Sequence, residues 1–272
     1  MSDIIKTTRH GRVLEIVFDR APVNAINTAA SKALYGAFRE LQDDPDLSIG
    51  IVTGTGERVF SAGWDLKEVA SGEAGLDGDG SSDDEPAAGR GGFAGNTEFW
   101  DLHKPLIAAV NGAAIGGGFE LALGCDIIIA AENAYFSLPE MQRGFLADAG
   151  AMQRVPRRIP YHIAVELFLT GRPMDAKEAA HWGLVNKVVP LDKLMEECHA
   201  MAAQIAEGAP LAIQACMAVL QEIEMLPLED AMNFTKKGKS GLDIYERMMA
   251  SEDALEGPVA FAEKRKPVWK GR

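Results

Sequence analysis

One stretch, Asn111–Glu120, constrains the fold more than any other. It reads N-G-A-A-I-G-G-G-F-E, and its glycines, Gly116–Gly118, follow the apolar run Pro105–Val110 and precede the apolar segment Phe119–Gly124. An apolar run bounded by turn residues predicts a buried strand, and the segment after the glycines predicts a helix. Glycine lets a ligand approach the backbone, and the first N–H groups of a helix lack acceptors inside it. The stretch therefore predicts either a ligand-binding turn or a tight turn beside a solvated Glu120.

A second strand–glycine–helix unit lies earlier in the chain. The apolar run Val59–Trp64 meets a predicted helix at Asp65–Val69 through Gly63. Strand and helix patterns alternate as far as residue 190, and a nearly continuous helical pattern then follows. The predicted C-terminal helices are Asp192–Glu207, Pro210–Glu224, Leu228–Ala250 and Ser251–Lys266. This order predicts an α/β core over residues 1–190 and a helical region over residues 191–272 that packs elsewhere, for example on another subunit.

Residues 71–97 interrupt the alternation. Gly, Ser, Ala and Asp dominate, and six acids precede the first basic residue, Arg90: Glu73, Asp77, Asp79, Asp83, Asp84 and Glu85. Such a stretch has too little apolar surface to order itself, which predicts a mobile loop inserted into one domain. A linker between two domains is the alternative. Phe93, Phe99 and Trp100 close the stretch and are expected to dock it.

Composition limits the classes of function. The net charge of -13 and the pI near 4.9 argue against binding to nucleic acid or to an anionic membrane surface. Three cysteines without metal-ligand spacing (Cys125, Cys198 and Cys216) read as reduced thiols. The polar N-terminus predicts no signal peptide, and no apolar run approaches the ~20 residues that span a bilayer. These features predict a soluble cytoplasmic protein.

Two carboxylates are candidates for acid–base chemistry. Glu120 follows the glycine turn, and Glu140 follows Pro139 at the end of the predicted strand Tyr135–Leu138. Sites on α/β scaffolds form at such strand ends, and paired carboxylates can divide acid and base work when their environments separate their pKa values. The sequence does not establish that the two side chains meet.

Other motifs point less clearly to chemistry. The five histidines show no metal-ligand spacing, so no metal is predicted, and the three glycines have neither the dinucleotide-binding spacing nor a P-loop lysine. No G-x-S-x-G elbow is present, and Ser61 does not form one. The five basic residues of 264–272 are expected to form a solvated tail or, alternatively, to hold a phosphorylated ligand.

Four blocks, in order, resemble the enoyl-CoA hydratase/isomerase (crotonase) family along almost the whole chain. They are Asp19–Ile26, Thr53–Lys67, Ile107–Asp126 and Phe136–Gly144. The resemblance implies an α/β fold of the crotonase-like ββα-superhelix type with a C-terminal helical trimerisation region. It also implies assembly as a homotrimer or a dimer of trimers.

The resemblance also implies a site. The N–H groups of Trp64 and Gly117 would form an oxyanion hole for a thioester carbonyl. Glu120 would activate and orient water, and Glu140 would exchange a proton at Cα. Retention of both glutamates favours hydration and dehydration, hence a lyase.

The same resemblance implies an acyl-CoA substrate and no other cofactor. The adenine would lie near Ala62–Leu66, and Lys264, possibly supplied by an adjacent subunit, near the 3′-phosphate. The full implied binding set is Asn24, Ala25, Ala62, Gly63, Asp65, Leu66, Gly116 and Lys264.

Within the family, four blocks resemble members that hydrate crotonobetainyl-CoA, whose acyl group carries a trimethylammonium head. These are Phe60–Lys67, Gly91–Gly95, Gly116–Leu123 and Glu256–Arg272. Aromatic faces and a negative charge suit such a head, and the candidates are Trp64, Phe93, Trp100, Phe145 and Asp148. A general short-chain enoyl-CoA hydratase and a non-catalytic acyl-CoA-binding protein are the alternatives.

One segment departs from the family pattern. Phe145–Ala151 stands where a proline and two adjacent glycines are usual, and only Gly150 remains. Because it follows Glu140, the departure bears on the water pocket and on substrate preference.

Overall fold

The computed structural model describes residues 4–71 and 90–272, in which strands and helices alternate as far as residue 189 and helices follow. The strands are β1 Ile5–His10, β2 Val13–Phe18, β3 Ala25–Ile26, β4 Ile49–Gly54, β5 Val59–Ser61, β6 Gly63–Trp64, β7 Leu106–Val110, β8 Ala113–Ile115, β9 Ile127–Ala131, β10 Tyr135–Ser137, β11 Met174–Asp175 and β12 Lys187–Val189. The α-helices are α1 Thr28–Asp43, α2 Leu66–Ala70, α3 Gly117–Leu123, α4 Ala151–Arg158, α5 Tyr161–Thr170, α6 Ala176–His181, α7 Leu194–Ala206, α8 Pro210–Ile223, α9 Leu228–Ala231, α10 Asp243–Ala250 and α11 Glu252–Ala262. Short 3₁₀ turns occupy Phe93–Gly95, Glu140–Arg143, Leu191–Lys193 and Met232–Thr235.

Three sheets organise the strands. The largest has the order β1-β2-β4-β7-β9-β12 and is parallel except for the antiparallel hairpin of β1 and β2. The second has the order β11-β10-β8-β5. The third pairs β3 with β6, in the register Ala25↔Gly63 and Ile26↔Trp64. This small sheet brings the turn after β5 against residues 24–26.

Both faces of the large sheet are covered at its centre, so β7 and β9 carry apolar residues at every position. Along β7, Leu106, Ala108 and Val110 contribute to the main core, which also contains residues of α1, α3 and β8. The intervening Ile107 and Ala109 pack instead with residues of α7, including Leu194 and Cys198. Alternation of side chains along a strand explains this division.

Helix starts agree with the capping signals in the sequence. The Asn27 side chain accepts from Ala30 N at 2.9 Å at the start of α1, and the Asp175 side chain accepts from Glu178 N at 2.7 Å at the start of α6. Both caps occupy an orphan N–H group of a first helical turn.

One prediction for the C-terminal region is wrong. The predicted helix Leu228–Ala250 is divided into α9, a 3₁₀ turn and α10, and Gly238 and Gly241 between them have φ values of +75° and +70°. The basic tail is largely exposed, as expected, but it is not free. It folds back on α11, where the Asp253 carboxylate accepts from Lys270 N and Gly271 N, each at 2.8 Å. Acidic side chains on α11 attract the basic tail and supply its backbone with acceptors.

The predicted mobile loop lies largely outside the described residues, because residues 72–89 are not described. Of the aromatic residues expected to dock it, Phe99 is buried and Phe93 half-buried. Trp100 is 68% exposed, so its docking role is not supported. The proposed division at residue 190 stays a prediction.

Candidate active site

The turn at Ser61–Trp64 is fixed by a buried hydroxyl. Ser61 Oγ donates to Asn24 O at 2.7 Å and accepts from Gly63 N at 3.1 Å. Gly63 has a φ of +80°, which favours glycine. Asp65 N then donates to Ile26 O at 2.9 Å. Because successive N–H groups of a strand point to opposite edges, the N–H of Trp64 points away from β3.

The three glycines bring this turn into contact with the start of α3. Gly116 has a φ of +55°, and its N–H donates to Ser137 O at 2.8 Å. A Cβ on Gly63 would lie 2.7 Å from Gly117 N, and a Cβ on Gly117 would lie 3.4 Å from Trp64 N. Gly117 begins α3, so its N–H has no acceptor within the helix. Two backbone donors from different segments therefore lie side by side.

Glu120 lies one turn inside α3 and is only 4% exposed. Its Oε1 accepts from Ala151 N, the first residue of α4, at 3.0 Å. Burial raises the pKa of Glu120 to about 8, and the nearby Glu140 and Asp148 act in the same direction, whereas the Ala151 N–H and Arg154 oppose it. The carboxyl group therefore holds a proton through neutral pH.

Glu140 reaches the same glycine turn from the other side. A Cβ on Gly116 would collide with its Oε1, while Glu120 N donates to Gly116 O at 3.0 Å. Glu140 is 7% exposed, and its Oε2 has no hydrogen-bond partner among the described residues. Burial raises the pKa of Glu140, opposed by its own backbone N–H and by Arg143. The charge of Glu140 also acts on the pKa of Glu120, so the two carboxyl groups are close enough to interact, and that of Glu140 lies against Gly116.

This arrangement can polarise a carbonyl and move protons beside it. Paired backbone N–H donors suit a developing oxyanion. Two carboxyl groups with raised pKa values can hold one proton between them at neutral pH, which leaves one acid and one base. An orphaned buried acceptor such as Glu140 Oε2 is unusual in a folded protein and marks a place where a ligand or water can bind.

Aromatic side chains border the two donors. The rings of Trp64 and Phe145 meet edge to face with centroids 6.1 Å apart. A Cβ on Gly117 would collide with the ring of Phe93, so this ring lies over the start of α3. Trp100 is elsewhere: it lines a cavity of about 1030 Å³ together with Leu123 and Arg158, at the far end of α3.

Comparisons with known proteins agree with this geometry. Residues 8–272 match the family model described as enoyl-CoA hydratase/isomerase. The chain belongs to the enoyl-CoA hydratase/isomerase family. The carnitinyl-CoA dehydratase of Salmonella typhi is 49% identical over 272 residues, which cover 100% of each chain.

Solved structures of the family confirm the fold. The enoyl-CoA hydratase from Mycobacterium tuberculosis H37Rv superposes with a TM-score of 0.86 at 36% identity, and 100% of each chain is covered. The carnitinyl-CoA hydratase from Mycobacterium avium gives 0.72 at 41% identity, again over 100% of each chain. The predicted crotonase-like α/β fold with C-terminal helices is confirmed, as is an acyl-CoA enzyme of the enoyl-CoA hydratase type, a hydro-lyase.

Most of the binding residues expected of this family lie near the paired donors. Gly63 lies against Ile115 O and Gly117 N, which flank Gly116, and Ala25 pairs with Gly63. Asp65 and the 40% exposed Leu66 continue the chain from Trp64, and the half-buried Ala62 precedes Gly63. Their roles in binding CoA stay predictions.

Two of the expected binding residues have other surroundings. The buried Asn24 side chain donates to the carbonyls of Thr55, Val59 and Phe60 at 3.1–3.2 Å, so it holds the loop before Ser61. Lys264 is exposed at the end of α11, and the hydrogen bonds of the described residues do not link it to the other expected binding residues. Its contact with the 3′-phosphate stays a prediction.

Sequence reasoning missed the groups that support the site. Ser61 was considered only as a nucleophile, yet it is fully buried and organises the turn. The N–H of Ala151 donates to Glu120 even though Ala151 lies in the segment that departs from the family pattern. Gly150, the glycine retained there, has a φ of +115° directly before α4. The presence of Gly150 in an otherwise divergent segment was the sequence feature that could have indicated its structural role.

Among the described residues, no single helix has the length and apolar character needed to cross a membrane. One bent pair, Leu191–Ala206 with Pro210–Ile223, passes that test jointly on length and composition, with an angle of 103° between its halves.

Proposed function

We propose that the protein interconverts crotonobetainyl-CoA plus water and L-carnitinyl-CoA, with Glu120 and Glu140 as the acid–base pair. The observation that carries the proposal is a pair of buried, interacting carboxyl groups, one of them against Gly116, beside the N–H groups of Trp64 and Gly117. Carnitinyl-CoA dehydratase activity in relatives at 49% identity over the full chain supports the choice of substrate.

In the proposed hydration, the thioester carbonyl accepts hydrogen bonds from Trp64 N and Gly117 N. A water molecule adds its oxygen to Cβ while one of its protons passes to Glu120. Glu140 delivers a proton to Cα, so the double bond is consumed and the elements of water are added across it. The N–H pair stabilises the enolate-like charge, and one such donor is worth about 3–4 kcal/mol.

Dehydration uses the opposite protonation states. Glu120, protonated at neutral pH because of its pKa of about 8, donates to the departing hydroxyl group. The ionised Glu140 removes the Cα proton. The protonation of Glu120 in the ligand-free protein therefore suits the dehydration direction.

The first test replaces each carboxyl group by its amide. We expect Glu120→Gln and Glu140→Gln each to lower kcat by about 10²–10⁴-fold, because an amide cannot exchange the proton. Glu132→Gln, at an exposed position, is the matched control and should keep wild-type kcat. Wild-type turnover in both site variants would refute the proposed roles.

The trimethylammonium head would be recognised by the Trp64–Phe145 pair and by the charge of Asp148. Asp148 raises the pKa values of both Glu120 and Glu140, which places its charge near the reacting pair. A cation near aromatic faces gains about 0.5–2 kcal/mol, and a nearby carboxylate adds to this attraction. Asp148 is exposed, so a trimethylammonium group beside it would keep part of its hydration.

A substrate comparison tests this part. We expect a higher kcat/KM for crotonobetainyl-CoA than for crotonyl-CoA, and Asp148→Asn should lower the first value much more than the second. A preference of the wild-type protein for crotonyl-CoA would instead support a general short-chain enoyl-CoA hydratase. The TM-score of 0.86 to the Mycobacterium tuberculosis enoyl-CoA hydratase is the observation that favours this second candidate.

The proposal includes a cytoplasmic homotrimer or dimer of trimers. Large apolar side chains are exposed along the C-terminal helices, and contiguous exposed apolar surface marks interaction sites. They include Leu220, Met225, Leu228, Met232, Leu255 and Phe261. Sedimentation equilibrium of the purified protein measures the assembly, and a monomer across the concentration range would contradict it.

A further inference from the structure

Two histidines and a glutamate meet on the outer part of the large sheet, away from the residues of the proposed active site. His10 ends β1, Glu15 lies on β2, and His199 lies on α7. The Nε2 atom of His199 lies 2.7 Å from Glu15 Oε2, and the Nε2 atom of His10 lies 3.6 Å from the same oxygen. The two imidazole rings are 4.7 Å apart between centroids. From these contacts, we propose that His10, Glu15 and His199 form a binding site for a divalent transition-metal ion, with Zn²⁺ as the reference ion.

The spacing of the donor atoms fits such an ion. One ligand atom from each residue lies within 4.8 Å of the other two. Zn²⁺ binds nitrogen and carboxylate oxygen at about 2.0–2.1 Å, so neighbouring ligands of a tetrahedral site lie about 3.3 Å apart. The two measured nitrogen–oxygen distances fall on either side of that value. Small side-chain movements therefore bring all three ligands to one ion, with water completing the tetrahedron.

The ligand set also selects a class of ion. Imidazole nitrogens with one carboxylate suit Zn²⁺, Ni²⁺ and Cu²⁺. Mg²⁺ and Ca²⁺ prefer sites made of oxygen ligands alone. The site should therefore bind Zn²⁺ much more tightly than Mg²⁺, although both ions carry the same charge.

The surrounding elements hold the three ligands in place. Val13 and Cys198 are buried in the same apolar cluster between the large sheet and α7, and each is close in sequence to one ligand. Glu15 projects from the same face of β2 as Val13, because side chains alternate along a strand. His10 is paired with Val13 across the hairpin. An ion bound here would fasten the β1–β2 hairpin to α7.

Sequence spacing could not reveal this cluster. His199 and Glu15 are 184 residues apart, and His10 and Glu15 are separated by the hairpin turn. Recognisable metal motifs place ligands at short, regular intervals, whereas these come from three different elements.

Zn²⁺ titration of the full-length protein, stripped with a chelator and studied by calorimetry, tests the proposal. We expect one Zn²⁺ per chain, a rise in Tm on adding Zn²⁺, and no comparable effect of Mg²⁺. His199→Ala and Glu15→Gln should weaken Zn²⁺ binding by at least about tenfold, since even supporting residues of metal sites contribute that much. His162→Ala removes an exposed histidine outside the cluster and should bind as wild type does.

His199→Ala changes a residue of α7 and could impair folding. His10→Ala avoids this difficulty, because His10 is exposed at the end of β1. It should also abolish most of the Zn²⁺-dependent rise in Tm. If wild-type protein binds no Zn²⁺, or if His10→Ala and His199→Ala both retain wild-type Zn²⁺ affinity, the site does not exist. Equal losses on His162→Ala would indicate adventitious surface binding and would also overturn the proposal.

Discussion

Glutamates in two regions of this molecule have opposite acid–base properties. At the start of α3, Glu120 and Glu140 are buried, and burial raises the pKa of each. On α11, the Glu256 side chain accepts hydrogen bonds from Arg265, which lower its pKa to about 2, and Lys270 lowers the pKa of Glu252. The same functional group favours its protonated form in one region and its ionised form in the other. The difference is set by exclusion of water in the first case and by basic partners in the second.

Among the substitutions that test this comparison, the largest expected effect concerns the backbone contact on which the buried region depends. In Gly63→Ala, the new Cβ would lie 2.7 Å from Gly117 N and would collide with Ile115 O. Separation of the two turns would misplace the Trp64 and Gly117 donors, so we expect kcat to fall by about 10²–10³-fold. Steady-state hydration assays measure the loss.

Gly183→Ala is the control for backbone strain. Gly183 has a φ of +81°, close to the +80° of Gly63, but a Cβ there would meet no atom within 4 Å. Strain of about 1–2 kcal/mol is expected in both variants. Retained activity in Gly63→Ala would show that the close contact is not needed.

The next effect concerns stability and pH. Because the folded-state pKa of Glu120 is raised from 4.5 to about 8, the folded state holds a proton that the unfolded state releases above pH 4.5. Stability therefore falls between about pH 4.5 and pH 8, by at most about 1.4 kcal/mol per pH unit for this group. Glu120→Gln should flatten that fall relative to wild type. Urea unfolding at pH 5 and pH 8 measures it, and an unchanged slope would contradict the buried protonated state.

Glu256→Gln should change the pH dependence of stability in the opposite direction. Its folded-state pKa is lowered to about 2, so its contribution is present above pH 4.5 and is lost as the pH falls towards 2. The variant should be less stable than wild type at neutral pH, and the two stabilities should become equal as the pH approaches 2. Urea unfolding extended to low pH measures this effect. If Glu120→Gln and Glu256→Gln changed the slope of unfolding free energy against pH in the same direction, the contrast between the two regions would be contradicted.

A smaller effect concerns the tail that folds back on α11. Asp253→Ala removes the acceptor for Lys270 N and Gly271 N, and we expect a loss of about 1–3 kcal/mol. Trypsin should then cleave within residues 264–270 faster than in wild type. Asp243→Ala, at an exposed position on α10, is the control. Equal cleavage rates in all three proteins would show that Asp253 does not retain the tail.

Local sequence patterns could predict much of this fold, because capping residues and apolar periodicity act over a few positions. Asn27 and Asp175, of residue types that favour the N-cap position, cap α1 and α6. The error at 228–250 arose where an apolar helical period continued across Gly238 and Gly241, whose positive φ values interrupt the helix. The attachment of the exposed tail to α11 was not foreseen, because its acceptors depend on tertiary contact.

In the candidate site too, features with a local sequence signal were predicted and features that depend on tertiary contact were not. Its glycines and glutamates could be named from resemblance and turn chemistry. The Ser61 hydroxyl between Asn24 O and Gly63 N could not, since hydrogen bonding across 37 positions has no local signature. The contact of Glu120 with Ala151 N, 31 residues away, was hidden for the same reason.

The contact between the glycine turns also has a consequence for how such an enzyme can diversify. At Gly63, Gly116 and Gly118 the geometry depends on atoms that are absent, because any Cβ would meet backbone or the Glu140 carboxylate. Selection has no side chain to vary at these positions. If the proposed function holds, changes in substrate preference are expected at the surrounding positions, such as 64, 145 and 148, and not at these glycines.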